Sequence, residues 1–205
     1  RGVAVPGRRC PRVLRLLEAL WGMDSLSLRE LRQLGVGNLL LLFTVEALVH
    51  LALVGGHGIL EHPAIPDEEE KASIWRLPLI ATLLTWPDFR TVCLAQGLWG
   101  AASPKPTMLL ALNMPDLEHH LRAWQTAQDL PRGASIGVDS SGQWATTKLK
   151  EYPPALCGGL SSAFLAAQRA HATDPALVIS QEFISRCLTM EVSDFGDVIG
   201  KDYAG

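Results

Sequence analysis

The chain has 205 residues, 48% of them hydrophobic and 19% charged, with a formal net charge of -3. That balance describes one ordinary globular domain, with or without a tail, and excludes a disordered chain or any global attraction to nucleic acid or acidic membranes. Cys10, Cys93, Cys157 and Cys187 lie far apart with no C-x-x-C pair. This fits free thiols in an intracellular setting, nuclear or cytoplasmic, better than a disulfide framework or a zinc knot.

The charge is unevenly spread. Residues 1–32 hold seven arginines against three acids, and residues 171–205 hold six acids against Arg186 and Lys201. Residues 1–12, with Pro6, Gly7 and Pro11, read as an irregular basic arm. "RVLRLLEALWG" has the spacing of a short amphipathic helix closed by Gly22. In "SLSLRELRQLG", Ser27 and Glu30 have capping-box spacing at a second helix start.

"NLLLLFTVEALVHLALV", 38–54, is the longest apolar stretch. As a helix its 17 residues span about 25 Å, short of a roughly 30 Å hydrocarbon core, and Glu46 would sit near mid-bilayer, where ionisable groups are costly. The expectation is a core helix packed on most sides, with Asn38, Glu46 and His50 as a narrow polar seam and Gly55-Gly56 as its stop.

"GHGILEHP" is too short for a helix and is bounded by glycine and proline, so a strand is expected at 57–61. A polar loop with the acidic run Asp67 to Glu70 follows, then a helix over about 73–85. "TVCLAQ", 91–96, and "TMLLALN", 107–113, read as strands joined by the Gly/Pro loop "GLWGAASPKP". Pro115-Asp116 opens a helix to about 127. "ASIGV" and "QWATT" flank the turn "DSSG" as a hairpin. Pro153-Pro154 begins a closing helix, although Gly158-Gly159 weakens it. Residues from 173 show no sustained period, so 171–205 is expected to be a low-order acidic tail.

Two strands separated by a helix imply a right-handed parallel crossover. The next two are joined by too short a loop for a parallel crossover and should be antiparallel. The expected fold is therefore α/β over 13–170, a partial doubly wound sheet ending in an antiparallel hairpin.

Three stretches within 37–165 resemble S-adenosylmethionine-dependent cytosine-5 DNA methyltransferases, and more closely the divergent methyltransferase-like domains of transposable elements. "ILEHP" resembles the strand ending in Glu-Asn-Val or Glu-Asn-Pro, "SIWRLP" resembles a following Ser-x-Leu-Trp segment, and "VCLAQGLWGAASPKPTMLLALN" resembles the strand, Tyr-Gly-x-Pro-Gln-x-Arg-x-Arg loop and returning strand. "LKEYPPALCGGLSSAF" occupies the place of the family's closing helix. The resemblance implies that Glu61 contacts a target cytosine, with His62, Gln96, Lys105 and Thr107 at substrate-binding positions and DNA as partner. His62 stands where the family has Asn, and Lys105 and Thr107 where it has arginines.

The resemblance also implies S-adenosylmethionine as cofactor. The chain has no Phe-x-Gly-x-Gly loop and no Pro-Cys nucleophile turn, which argues against cofactor binding and against turnover. The implied reading is a C-terminal, target-recognising half that is inactive alone.

Such chemistry needs a flipped base and a carboxyl that engages its N3/N4 edge, and the carboxyl ends of strands are where α/β sheets bind ligands. The plainer alternative for Glu61 is a helix cap or an ion pair. His62 also fits a space-filling loop histidine, and Lys105, between two prolines, fits a solvated lysine equally well. His119-His120 has no spaced partner for a metal. Cys93 reads as inert strand packing, and Trp75, Trp86 and Trp99 as core. Two other classes stay open: a non-enzymatic nucleic-acid-binding module using the arginine arm, and, less favoured, a membrane protein anchored by 38–54.

Overall fold

A computed structural model describes residues 13–68, 71–131 and 151–171. The expected basic arm, the hairpin around "DSSG" and the acidic tail lie outside them.

The first long element is α1, Leu28–Leu53. Ser27 and Glu30 close the anticipated capping box, the Glu30 carboxylate accepting from the Ser27 backbone N–H at 2.8 Å. The two helices expected at 25–35 and 37–54 are one. Gly35 and Gly37 lower helix propensity by about 1 kcal/mol each, yet the apolar pattern runs through both. Gly55, at φ 66, makes the left-handed turn that stops it. The helix is packed on one side rather than on most. Asn38, Val45, Leu48, Val49 and Ala52 are buried, while Val36, Leu39, Leu40 and Phe43 are each at least 60% exposed. By length and composition α1 could also cross a membrane.

Strand β1, Gly58–Pro63, follows. The helix expected over 73–85 divides into a 3-10 turn, Ile74–Arg76, and α2, Pro78–Leu83. The cause is Pro78, which holds Leu77 extended at ψ 134. Strands β2, Phe89–Ala95, and β3, Pro106–Leu112, flank a loop that contains the 3-10 turn Gln96–Trp99. Two further helices follow among the described residues, α3, Leu117–Ala123, and α4, Pro154–His171. Residues 13–22 do not form the expected helix. Leu16 makes bridges with Ala19 and Lys71, and Gly22 takes φ 141 with the Leu34 side chain where a Cβ would lie.

The three strands form one sheet in the order β1-β3-β2, both pairs antiparallel. The antiparallel β2–β3 pair is as expected. β1 and β2 run in the same direction, as a crossover requires, but they are not neighbours, because β3 lies between them. The chain is thus a mixed helix–strand protein with a small antiparallel sheet. The larger doubly wound sheet is not present among the described residues.

β3 is buried on both faces, which is why its sequence is almost continuously apolar rather than alternating. Met108, Leu110 and Leu112 face α1 and α2, in a core with Ile80, Leu83 and Trp86. Leu109 and Ala111 face α3 and α4, in a second core with Leu117, Leu121 and Leu156. The layers are helix, sheet, helix.

Candidate functional site

Adjacent strand residues point to opposite faces. Register therefore settles where the first two candidate residues go. Glu61 lies opposite Leu109 and His62 opposite Met108, so Glu61 belongs to the α3/α4 side and His62 to the α1/α2 side. The end of β1 is pinned by Trp75, whose indole N–H donates to the Pro63 carbonyl at 2.8 Å.

Gln96 follows β2 directly. Its backbone N–H donates to the Lys105 carbonyl at 3.2 Å and closes the connecting loop. Its side chain has no exposed surface. Nε2 donates to Thr107 Oγ1 at 3.0 Å and, more weakly, to Glu61 Oε1 at 3.4 Å. The fully buried Thr107 hydroxyl passes the chain on, donating to the Lys105 carbonyl at 3.1 Å. Lys105, held by its flanking prolines, sits at φ 40, a strained value for a residue with a side chain.

A residue that the sequence reading did not single out completes the group. Tyr152 Oη donates to Glu61 Oε2 at 2.7 Å, and the Lys105 ammonium lies 5.1 Å from the centroid of its ring. Burial pushes the Tyr152 phenol well above its ordinary value, and the Glu61 carboxylate pushes it the same way. Tyr152 is thus a neutral donor at any ordinary pH. The only local sign of it was an aromatic residue just ahead of the two prolines that open α4.

Four of the five candidate residues therefore converge through Tyr152 and Gln96, and His62 does not join them. Each Glu61 oxygen accepts from a neutral side chain, Gln96 from the interior and Tyr152 from the surface. Gln96 acts on Glu61 from inside, and Thr107 on Gln96 and the loop, both being almost wholly withdrawn from solvent.

On the same face of the sheet, a cavity of about 410 Å³ opens between β2, β3 and α3, lined by Val92, Leu94, Trp99 and Thr107 among others. Its volume suits a small organic ligand. The Glu118–Arg122 ion pair stands on its wall. Glu61 is not one of the lining residues. Comparison of the chain with protein-family models, curated proteins and solved structures returns no match.

Adenosylmethionine does not fit the described residues. The α1 N-terminus is filled by its own capping box, Ser27 and the Glu30 carboxylate. The α4 N-terminus opens on two prolines, which offer no N–H donors. Cys93 is exposed rather than buried packing, and Cys157 is exposed as well. Cys93 lies within β2 and Cys157 within α4. His119 and His120 meet edge to face at 5.7 Å, and no group of three metal-binding side chains occurs among the described residues. Trp75, Trp86 and Trp99 are core, as expected.

Proposed function

We propose that this chain is the target-recognition half of a DNA cytosine methyltransferase-like protein, with Glu61 as the group that reads the base and with no turnover of its own. The observation that carries the proposal is the state of the Glu61 carboxylate. It sits near the end of β1, clamped between Gln96 and Tyr152, residues 35 and 91 positions away in the chain. A carboxylate that is only a helix cap or an ion-pair partner would not need such a mount. The order β1-β3-β2 supports the same reading, since a returning strand inserted antiparallel between two co-directional strands suits the end of a mostly parallel sheet.

In this proposal the exocyclic amine of a flipped cytosine takes the place of the Tyr152 hydroxyl, donating to Oε2 while Gln96 keeps Oε1 oriented. The two neutral donors are exchanged for one another, so the carboxylate is never left bare. Lys105 lies beside this exchange and supplies a positive charge to the adjoining phosphate. His62, on the other side of the sheet, takes no part. The missing nucleophile turn and cofactor loop leave recognition without chemistry.

One observation favours a second reading. Both carboxylate oxygens are already satisfied, which also describes a structural tie in a non-enzymatic interaction module. Fluorescence anisotropy with duplexes carrying a mismatched, easily flipped cytosine, against the same duplexes with an abasic site, separates the two. Base recognition requires a preference for the cytosine duplex that Glu61→Gln abolishes. Equal affinity for both duplexes refutes it. Stoichiometric adenosylmethionine binding in calorimetry would refute the half-domain part.

A further inference from the structure

On the opposite side of the sheet from Glu61, between the segment before α1, the α1 helix and β1, lies a small cavity lined by Arg15, Trp21, Asn38, His62 and Ser73 among others. We propose that it is a binding site for a single tetrahedral oxyanion of the phosphate type. The inference stands apart from the cytosine-recognition reading and survives its failure.

Arg15 carries the argument. Its guanidinium is half-buried, and the loss of water lowers its pKa. A guanidinium has five N–H donors, and Arg15 uses one of its nitrogens in a bond to Asn38 Oδ1. Among the described residues it forms no ion pair. Withdrawing a cation from water without an opposite charge is unfavourable, so the arrangement is incomplete as a structural element. An oxyanion meeting the guanidinium fork completes it.

Asn38 is built to hold that fork in place. It is 3% exposed, and its Nδ2 donates to the Trp21 carbonyl at 2.8 Å. That bond decides which end of the carboxamide faces Arg15. An asparagine buried in an apolar helix face is expensive unless it has such work.

His62 faces the same cavity from β1, its ring edge-on to Trp75 with centroids 6.3 Å apart. Burial is the main influence lowering its pKa, Arg15 adds to it, and Glu61 opposes. The imidazole can donate one hydrogen bond when neutral and has a second N–H when charged. Ser73, also buried, brings a hydroxyl to the wall. Among the described residues, the charged and titratable groups lining the cavity are Arg15 and His62, and no carboxylate is on its wall.

Size selects the ligand. The cavity measures about 60 Å³, far below the roughly 300 Å³ at which pockets begin to enclose drug-sized ligands. That suits one phosphate or sulfate group better than a whole nucleoside. The same chemistry has two sources, free inorganic phosphate or the terminal phosphate of a nucleic acid whose sugar stays outside.

The test uses the full chain in chloride buffer, to which inorganic phosphate is added at constant ionic strength. The His62 ring resonances are followed by NMR and affinity by calorimetry. One phosphate should bind and move the His62 resonances, and Arg15→Gln should weaken binding by about tenfold or more, the factor expected for one lost charge-assisted hydrogen bond. A 5′-phosphorylated dinucleotide binding more tightly than phosphate identifies a nucleic-acid end as the source, and equal or weaker binding identifies free phosphate. The proposal is overturned if millimolar phosphate leaves His62 of the unaltered chain unmoved, or if Arg15→Gln binds phosphate as well as the parent. The NMR measurement needs no variant, so a poorly folding Arg15→Gln does not rescue the idea.

Discussion

Replacing Gln96 with glutamate changes almost no volume and tests whether the buried amide faces Glu61. Gln96 Nε2 stands 3.4 Å from Glu61 Oε1 with no exposed surface around it. In Gln96→Glu that position becomes a second carboxylate. Two full charges at this distance repel by about 5 kcal/mol at an effective dielectric of 20. The pair escapes by keeping one proton. Against an ordinary glutamate value near 4.3, holding that proton at pH 7 costs about 3.7 kcal/mol, the smaller figure and so the one expected. The Thr107 hydroxyl can turn to the introduced carboxylate only by leaving the Lys105 carbonyl.

The sign follows from proton counting. The folded variant binds one proton more than its unfolded chain above about pH 4.3, so stability falls as pH rises. Urea unfolding at pH 7 should show a loss of about 3 to 4 kcal/mol, shrinking to about 1 near pH 5. A loss that is the same at both pH values, or smaller than about 1 kcal/mol at pH 7, would refute the contact.

Three further outcomes are expected. Tyr152→Phe removes the bond to Glu61 but keeps the ring beneath Lys105, and because the tyrosine is 41% exposed the loss in urea unfolding should be about 1 kcal/mol, below the usual range for charged hydrogen bonds. Leu109→Ala and Leu110→Ala remove neighbours on opposite faces of β3, both almost fully buried; each should lower stability by about 3 to 4 kcal/mol, and a near-neutral result for either would mean that one face of the sheet is uncovered. His62 has a lowered folded pKa, so the unfolded chain holds the extra proton in the window below about 6.5. Stability should be lost as pH falls through that window, and His62→Gln should flatten this part of the urea midpoint profile.

Much of the local structure was legible because its causes are local. Ser27 and Glu30 announced the start of α1, Gly55 its end, and the short loop between β2 and β3 their antiparallel pairing. What escaped depends on distant contacts. The "RVLRLLEALWG" pattern has helical spacing, but there Leu16 pairs with Lys71 and Gly22 yields to Leu34. Pro78 did carry a local signal for breaking the 73–85 helix, through its effect on Leu77. Of the candidate site, Glu61, Gln96, Lys105 and Thr107 were visible as polar residues at strand ends. Tyr152 was not, because nothing near it in the chain anticipates a bond across 91 positions.

The central place of β3 has a consequence during synthesis. Among the described residues β1 and β2 each pair only with β3, yet β3 is the last of the three to leave a ribosome. Until residue 112 has emerged, the two earlier strands lack the partner they have in the finished sheet, and α1 lacks the part of its apolar floor that Met108, Leu110 and Leu112 supply. Neither pairing of the sheet can form before β3 is out, and a nascent chain that stalls before Pro106 leaves β1 and β2 without that partner.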